Sequence, residues 1–413
     1  MIKALVLGGG FSGAMTAVQL AARGVEVVVV EPGALGRGVA YAEGPEALVL
    51  NTPAAAMSAL PDRPDDFVVW LAARGDHCMF ASRALYGAYV REKLARIAQV
   101  TARAVDVAPW GTGYVVACRD GTLHEAAHVV LALGNAPPRT PRFLRGFGAY
   151  HADPYRALVE LPVGDHAIAL LGTGLTALDV VAALRVRGHT GAIHAISRRG
   201  LVPHRHPGVP AASVVAPPVT TTLAGLLAWW RGDDDATAKL DAIRRMLPMI
   251  WRGWDASERA RFVRHVRPHW ETVRHRAPPE VHAHAASIDV IAGRLTGAEM
   301  IPDGLRVHAR SSALDPITLD VAALVNCTGP ERDLTRIADP LVQQLLRRGL
   351  VEADPMGLGA SALAPRLHCV GPWRIATDWE STAVGELRAQ AAEVAEAISA
   401  ESEVVPSAVA AIR

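Results

Sequence analysis

A chain of 413 residues, half of them hydrophobic and a fifth charged, has a globular composition and material for two or three domains. Lys and Arg number 42 against 41 Asp and Glu, a net charge of +1 that gives no electrostatic basis for a nucleic-acid or anionic-membrane partner. Mean hydropathy is slightly positive, yet no apolar run reaches the ~18–20 residues of a membrane span.

Met1–Leu7 is too short for a signal-peptide core. The cysteines, Cys78, Cys118, Cys327 and Cys369, lie far apart with no CxxC and no zinc-ligand spacing. The expectation is a cytoplasmic protein with reduced thiols and no metal site. Neither a disulfide reductase centre nor a zinc knuckle is signalled.

Ala4–Leu7 reads as a short apolar strand, Ala14–Arg23 as a helix and Val25–Val30 as a β-branched strand ending in Glu31. Between the first two lie Gly8, Gly9, Gly10, Phe11, Ser12 and Gly13. Glycines at positions 8, 10 and 13 permit a tight turn and a close approach of backbone to a pyrophosphate. The phosphates then meet the N–H groups and dipole of a helix N-terminus. A GxGxxG alone is weak. Here it follows a strand, opens a helix and is followed 18 residues after Gly13 by a carboxylate at a strand end, placed to accept both ribose hydroxyls.

Residues 33–64, rich in Gly, Pro and Ala, read as loop, and Asp66–Ala73 and Arg83–Gln99 as helices. Tyr114–Cys118 and Leu123–Leu133 read as strands around an Asp120-Gly121 turn, the second ending at Gly134. A second βαβ unit starts at Ala167–Leu171. It passes through Gly172, Thr173, Gly174, Leu175, Thr176 and Ala177 into a helix to Arg187, then into the strand Ala192–Ser197. No acid ends that strand; Arg198 and Arg199 follow it. Guanidinium groups pair with a 2′-phosphate that a carboxylate would repel, so the second nucleotide is expected to be NADPH. A solvated surface pair is the plainer alternative.

Residues 202–217 carry four prolines and read as loop. Thr221–Glu280 reads as a helical insertion containing five of the tryptophans. Strands return at Ile288–Ile291, Leu305–Ala309 and Ala322–Asn326, the last before Cys327-Thr328-Gly329, and at Leu367–Val370 before Gly371-Pro372. A helix from about Thr382 to Ala400 closes the fold, followed by a loose tail. His204 and His206 sit in the proline-rich loop without HExxH or a carboxylate partner, so no metal is expected there. No Gly-x-Ser-x-Gly nucleophile elbow occurs.

Two nucleotide folds, the first with Glu31, resemble the flavoproteins with paired dinucleotide-binding domains. Val129–Gly134 and Leu324–Gly329 resemble the strand-then-glycine segments closing each domain in that family. Gly371-Pro372 resembles the segment that approaches the flavin. Gly36–Tyr41, Leu50–Pro53, Met57-Ser58, Phe67, Trp70-Leu71, Arg83–Tyr89, Trp270–Arg276 and Trp379-Glu380 with Glu386 and Gln390 narrow the resemblance. They are similar to FAD-NAD(P)-binding proteins related to class B and N-hydroxylating flavin monooxygenases. A Baeyer–Villiger linker is not matched: Phe143, Gly146 and His151 have the wrong spacing and no Trp follows.

The resemblance implies an α/β fold: two Rossmann-like dinucleotide-binding domains, for FAD and NADPH, with a helical insertion at about 203–285. Its expected divisions are 1–161 and 315–413 for FAD and 162–314 for NADPH. The implied cofactor contacts are Gly8, Gly10, Phe11, Ser12, Gly13, Glu31, Gly134, Gly329, Gly371, Trp379 and Glu380, and for NADPH Gly172, Gly174, Leu175, Thr176, Arg198 and Arg199. The implied reaction is hydride transfer from NADPH to flavin, then oxygenation of a small nucleophile, an amine or amino acid, by molecular oxygen. Asn51 is expected to hydrogen-bond flavin or nicotinamide, and Arg274 or Arg276 to hold a substrate carboxylate. A flavin reductase or dehydrogenase without oxygen insertion, and a non-catalytic FAD-binding redox sensor, stay open.

Overall fold

The computed structural model describes residues 1–42, 44–45, 48–208, 214–232, 235–244 and 246–403. The expected tail, and parts of the expected loops 33–64 and 202–217 and of the insertion, lie outside the described residues. Two compact units result. Unit 1 comprises Met1–Glu43, Pro53–Ala136 and Arg332–Arg413; unit 2 comprises Gly44–Thr52 and Pro137–Glu331.

Unit 1 opens with β1 (Ile2–Leu7), α1 (Phe11–Ala22) and β2 (Val27–Val30). The helices α2 (Asp66–Ala72) and α3 (Arg83–Glu92) follow, then β3 (Ala98–Val100), β4 (Ala104–Trp110), β5 (Gly113–Cys118) and β6 (Leu123–Leu131). The strand order is β3-β2-β1-β6-β5-β4. The pairs β3–β2, β2–β1 and β1–β6 are parallel, whereas β4–β5–β6 is an antiparallel meander. Alternation along β1 sorts the core. Leu5 and Leu7 face one buried cluster with Val129 and Leu131; Ala4 and Val6 face the other, with Leu20 of α1. A strand buried on both faces reads as a continuous apolar run, as this one does.

The helix expected over Arg83–Gln99 ends at Glu92, and Ala98–Val100 is a parallel edge strand on β2. The Gln99 side chain explains the change of state. Its Nε2 donates to the carbonyls of Glu31 and Gly33, at 2.9 and 2.7 Å, stitching this edge to the end of β2.

Unit 2 contains β7 (Tyr150–His151), α4 (Pro154–Glu160), β8 (Ile168–Leu171), α5 (Leu175–Val186) and β9 (Ile193–Ser197). The insertion follows as α6 (Leu223–Trp230), α7 (Ala236–Arg244), α8 (Leu247–Gly253), α9 (Ala256–Arg261), a π-helical turn at Phe262–Val266, α10 (Arg267–Arg274) and α11 (Pro279–Ala283). The sheet then resumes with β10 (Asp289–Ile301), β11 (Gly304–Ser311), β12 (Pro316–Val321) and β13 (Ala323–Asn326), in the order β12-β11-β10-β9-β8-β13-β7. Strand β10 runs far beyond the expected Ile291. Its first residues pair parallel with β9, and from Gly293 on it pairs antiparallel with β11. Ile168 and Leu170 face one core cluster with Val181 of α5; Ala169 faces another with Ile196 and Leu324.

The chain returns to unit 1 with α12 (Pro340–Arg347), β14 (Val351–Ala353), β15 (Ala360–Ala362), β16 (Leu367–Cys369) and α13 (Val384–Glu403). Strand β16 pairs parallel with the second half of β6, and α13 packs on α1. Each unit thus carries a parallel βαβ core extended by an antiparallel meander. No described helix is long and apolar enough to cross a membrane.

Candidate functional site

In unit 1 the turn from β1 to α1 is shaped by glycine. Gly8 has φ +104°, and a Cβ there would stand 2.4 Å from the Ala132 carbonyl oxygen. At Gly13 a Cβ would lie 1.9 Å from the Gly8 carbonyl oxygen, so the helix can enter this closely only without a side chain. Gly10 differs: its Cβ would meet only the Gly38 Cα, at 3.5 Å. It caps α1 with no side-chain hydrogen bond to the first-turn N–H groups. Those donors, on a 12-residue helix, have no side-chain cap and are of the kind that can receive an anion.

Glu31 stands at the end of β2. Its Oε2 accepts the Gly9 N–H at 2.8 Å and its Oε1 accepts the Gly33 N–H at 2.9 Å. An ionised carboxylate has about four lone-pair sites, so two stay available to ribose hydroxyls. Gly9 must be glycine for this, because a Cβ would lie 2.7 Å from the Glu31 Cγ. The loop after Glu31 folds back on the turn, the Gly36 N–H donating to the Gly9 carbonyl at 2.7 Å.

Of the other expected contacts in this unit, Gly134 (φ +66°) follows β6, and Gly371 (φ +87°) follows β16. Gly371 donates its N–H to Gln390 Oε1 at 2.8 Å, and a Cβ on it would lie 2.9 Å from Ser12 Oγ. Strand β16 therefore delivers Gly371 to the glycine turn. The Phe11 side chain is buried, its ring 6.0 Å from those of Tyr41 and Tyr86, so Phe11 has its backbone rather than its ring at the turn. Burial pushes the Tyr41 phenol up to about 12, against a smaller opposing effect of Arg83. The Tyr86 hydroxyl is buried and has no hydrogen-bond partner among the described residues. Trp379 and Glu380 are both buried ahead of α13, as is Ser381, whose hydroxyl also has no partner among the described residues.

Unit 2 repeats the turn. Gly172 has φ +113°, and its Cβ would lie 2.5 Å from the Cys327 carbonyl oxygen. Gly174 caps α5 without a side-chain bond and has open space around it, with Leu175 and Thr176 in the first turn. Gly329 (φ +81°) follows β13. The strand-end position of Glu31 is taken here by Ser197. Its hydroxyl hydrogen-bonds Thr173 Oγ1 at 2.9 Å and accepts the Gly200 N–H at 3.1 Å, holding the turn.

Arg198 and Arg199 are exposed, but they line a cavity of about 810 Å³. Arg264, Arg267 and Arg294 line it too, with Glu271. Glu271 falls within the Trp270–Arg276 segment, whereas Arg264, Arg267 and Arg294 were not singled out from the sequence. The available signal was arginine at three-residue spacing, Arg261, Arg264 and Arg267, which places side chains near one another along a helix.

The residues expected near substrate are placed as follows. Asn51 is half-buried in the segment 44–52, whose Leu48 and Val49 pack in clusters of unit 2. Arg274 is half-buried at the end of α10. Arg276 is buried, donating from Nε to the Val273 carbonyl at 2.9 Å and from Nη1 to Thr237 Oγ1 at 3.0 Å. Burial lowers its pKa, opposed by Asp241 and Asp235. His206 is likewise lowered, by burial and then by Arg276. Among the described residues no group of His, Cys, Asp or Glu could hold a metal ion, and no disulfide joins the four cysteines.

Residues 5–136 match the family model described as FAD-NAD(P)-binding. No curated protein sequence matches the chain. Among solved structures, L-lysine 6-monooxygenase from Pseudomonas syringae is similar at a TM-score of 0.69 and 16% identity, covering 98% of this chain and 100% of that one. The reduced form of ornithine hydroxylase from Pseudomonas aeruginosa gives 0.66 at 14% identity, covering 97% and 99%. The ornithine N-hydroxylase of Kutzneria sp. 744, with reduced FAD, NADP+ and L-ornithine, gives 0.65 at 18% identity, covering 97% and 100%. Residues 5–136 thus match an FAD-NAD(P)-binding domain, and the chain as a whole shares its fold with these lysine and ornithine hydroxylases.

Proposed function

We propose that this chain is an FAD- and NADPH-dependent monooxygenase that hydroxylates the nitrogen of a small amine or amino acid, with unit 1 holding FAD and unit 2 holding NADPH. The carrying observation is the contrast between two equivalent strand ends. One presents Glu31, braced by Gly9 and Gly33; the other presents Ser197 followed by Arg198 and Arg199 beside a basic cavity. A carboxylate suits ribose hydroxyls and repels a 2′-phosphate; guanidinium groups do the reverse. The likeness in fold to lysine and ornithine hydroxylases supports the reaction class, and four cysteines outside any disulfide fit a reducing, cytoplasmic setting.

The residues present fit both groups. Gly10 leaves space that a side chain would fill, α1 and α5 offer uncapped N–H groups, and the Tyr86 hydroxyl beside Phe11 lacks a partner that a bound flavin can provide. When bound, the two cofactors supply hydride transfer and activation of molecular oxygen. The protein's part is placement. The N–H groups of Phe11, Ser12 and Gly13 hold the FAD pyrophosphate, Glu31 fixes its ribose, and Gly371 reaches the same turn. In unit 2 the first turn of α5, through Leu175 and Thr176, receives the second pyrophosphate, and Arg198 and Arg199 hold the 2′-phosphate. Asn51 hydrogen-bonds flavin or nicotinamide, and Arg274 holds a substrate carboxylate. Arg276 acts as a scaffold for the insertion, since two of its donors are engaged there.

The test is NADPH oxidation by the FAD-loaded protein against a panel of amino acids and amines, with mass spectrometry of the products. A substrate-dependent rate and a product heavier by one oxygen are expected. Oxidation supported by quinones or dyes without oxygenated product would replace this reading with a flavin reductase. Absence of flavin reduction by NADPH would replace it with a redox sensor.

A further inference from the structure

The helical insertion packs on α5 through Ala277 and Val281, and it also closes the basic cavity at the end of β9. Arg198 and Arg199 reach the cavity from the strand end. Arg294 reaches it from β10, two residues past Ala292, which pairs with Ser197. The other wall is insertion: Arg264 from the π-helical turn and Arg267 from the start of α10. Such turns interrupt α-helical register and recur at functional sites.

Three polar contacts fix this wall. Arg199 Nη2 donates to the Arg264 carbonyl at 3.1 Å, tying strand end to insertion. Arg267 Nε donates to Glu271 Oε1 at 3.3 Å, and the other oxygen of Glu271 meets His275 Nδ1 at 2.6 Å. Five guanidinium groups against one carboxylate repel one another unless an anion joins them. The cavity is concave, which suits a small dianion rather than a membrane or a nucleic-acid backbone, and the chain's net charge of +1 provides no wider basic surface.

We propose that Arg264 and Arg267 form the second half of the 2′-phosphate site, so that the insertion, and not the strand-end pair alone, sets the choice of NADPH over NADH. This rests on the reading of unit 2 as the NADPH domain. The phosphate lies between the two walls, gripped by Arg198 and Arg199 on one side and Arg264 and Arg267 on the other, with Arg294 at its edge.

The probes are adenosine 2′,5′-bisphosphate and 5′-AMP, which differ only in the 2′-phosphate. Their binding to the FAD-loaded protein is measured by calorimetry for the parent, for Arg264→Ala/Arg267→Ala and for Arg198→Ala/Arg199→Ala. The insertion variant is expected to lose at least about tenfold in affinity for the bisphosphate, the scale of one charge-assisted hydrogen bond. Its affinity for AMP should change less than about twofold, a difference within the usual scatter of near-neutral contacts. If the parent binds both probes equally, the NADPH reading itself falls. If the parent discriminates and only the strand-end variant loses discrimination, the reading stands and the role of the insertion is overturned. Equal loss for both probes in the insertion variant also overturns it, because the arginines would then support the fold rather than the phosphate.

Discussion

Glu31 accepts the N–H of Gly9 at 2.8 Å, so the residue that would grip a ribose also braces the turn that would cradle the pyrophosphate. Replacing Glu31 by Gln leaves one oxygen and introduces an NH2 that cannot accept from Gly9 or Gly33. A lost charge-assisted bond costs roughly 1.5–3 kcal/mol. The variant should purify with a reduced FAD-to-protein ratio, read from the flavin absorbance after gel filtration. Full flavin content after extensive dialysis would remove Glu31 from the cofactor site.

Gly10 and Gly13 belong to one motif but make opposite demands. A side chain at Gly10 meets nothing closer than Gly38 Cα at 3.5 Å, whereas one at Gly13 would lie 1.9 Å from the Gly8 oxygen. Gly10→Val should therefore keep the circular-dichroism spectrum of the parent and lose the yellow colour. Gly13→Ala should lose both, because α1 can no longer seat against the turn. A flavin-replete Gly10→Val would place the pyrophosphate elsewhere.

Much of this was legible in the sequence because it is local. The order strand, glycine turn, helix, strand and Glu31 spans about 30 residues, the scale over which such units form, and the same grammar exposed Gly172 to Ser197. The limit of that grammar is Arg267. It lines the same cavity as Arg198 across about 70 residues of intervening chain, a proximity that neither periodicity nor a motif encodes. Helical spacing likewise carried the segment from Arg83 on to Gln99, although a carbonyl partner at Glu31 holds Gln99 in a strand. Tertiary partners overrode local pattern in both cases.

His128 and His368 lie on the paired strands β6 and β16, their rings stacked at 5.6 Å, with Glu401 Oε2 3.7 Å from His128 Nε2. Burial, then His368, lowers the His128 pKa from 6.5 to about 4; Lys3 and Arg366 add slightly and Glu401 opposes. Burial also lowers His368. Folded-state values below the unfolded ones mean that the unfolded chain binds more protons on acidification. The contribution is complete above about pH 6.5 and is lost as pH falls towards 4. Urea unfolding should show stability dropping by on the order of 2–3 kcal/mol across that window. His128→Phe should flatten the slope, and an unchanged slope would show that the pair does not govern it.

Arg276 and Arg274 stand two residues apart with different surroundings, which allows the scaffold role to be separated from the substrate role. Arg276 is buried and joins Val273 to Thr237 on α7, with Asp235 and Asp241 as its compensating charges. Removing it leaves those acids without a buried cation and two acceptors with one donor fewer, a change of about 2–4 kcal/mol. Arg276→Ala should therefore lower the melting temperature by several degrees. Arg274→Ala should leave the melting temperature near that of the parent and raise the KM of an amino-acid substrate without affecting a primary amine that lacks the carboxylate. A thermally intact Arg276→Ala whose KM rises in the same selective way would transfer the carboxylate contact to Arg276 and exclude the scaffold role.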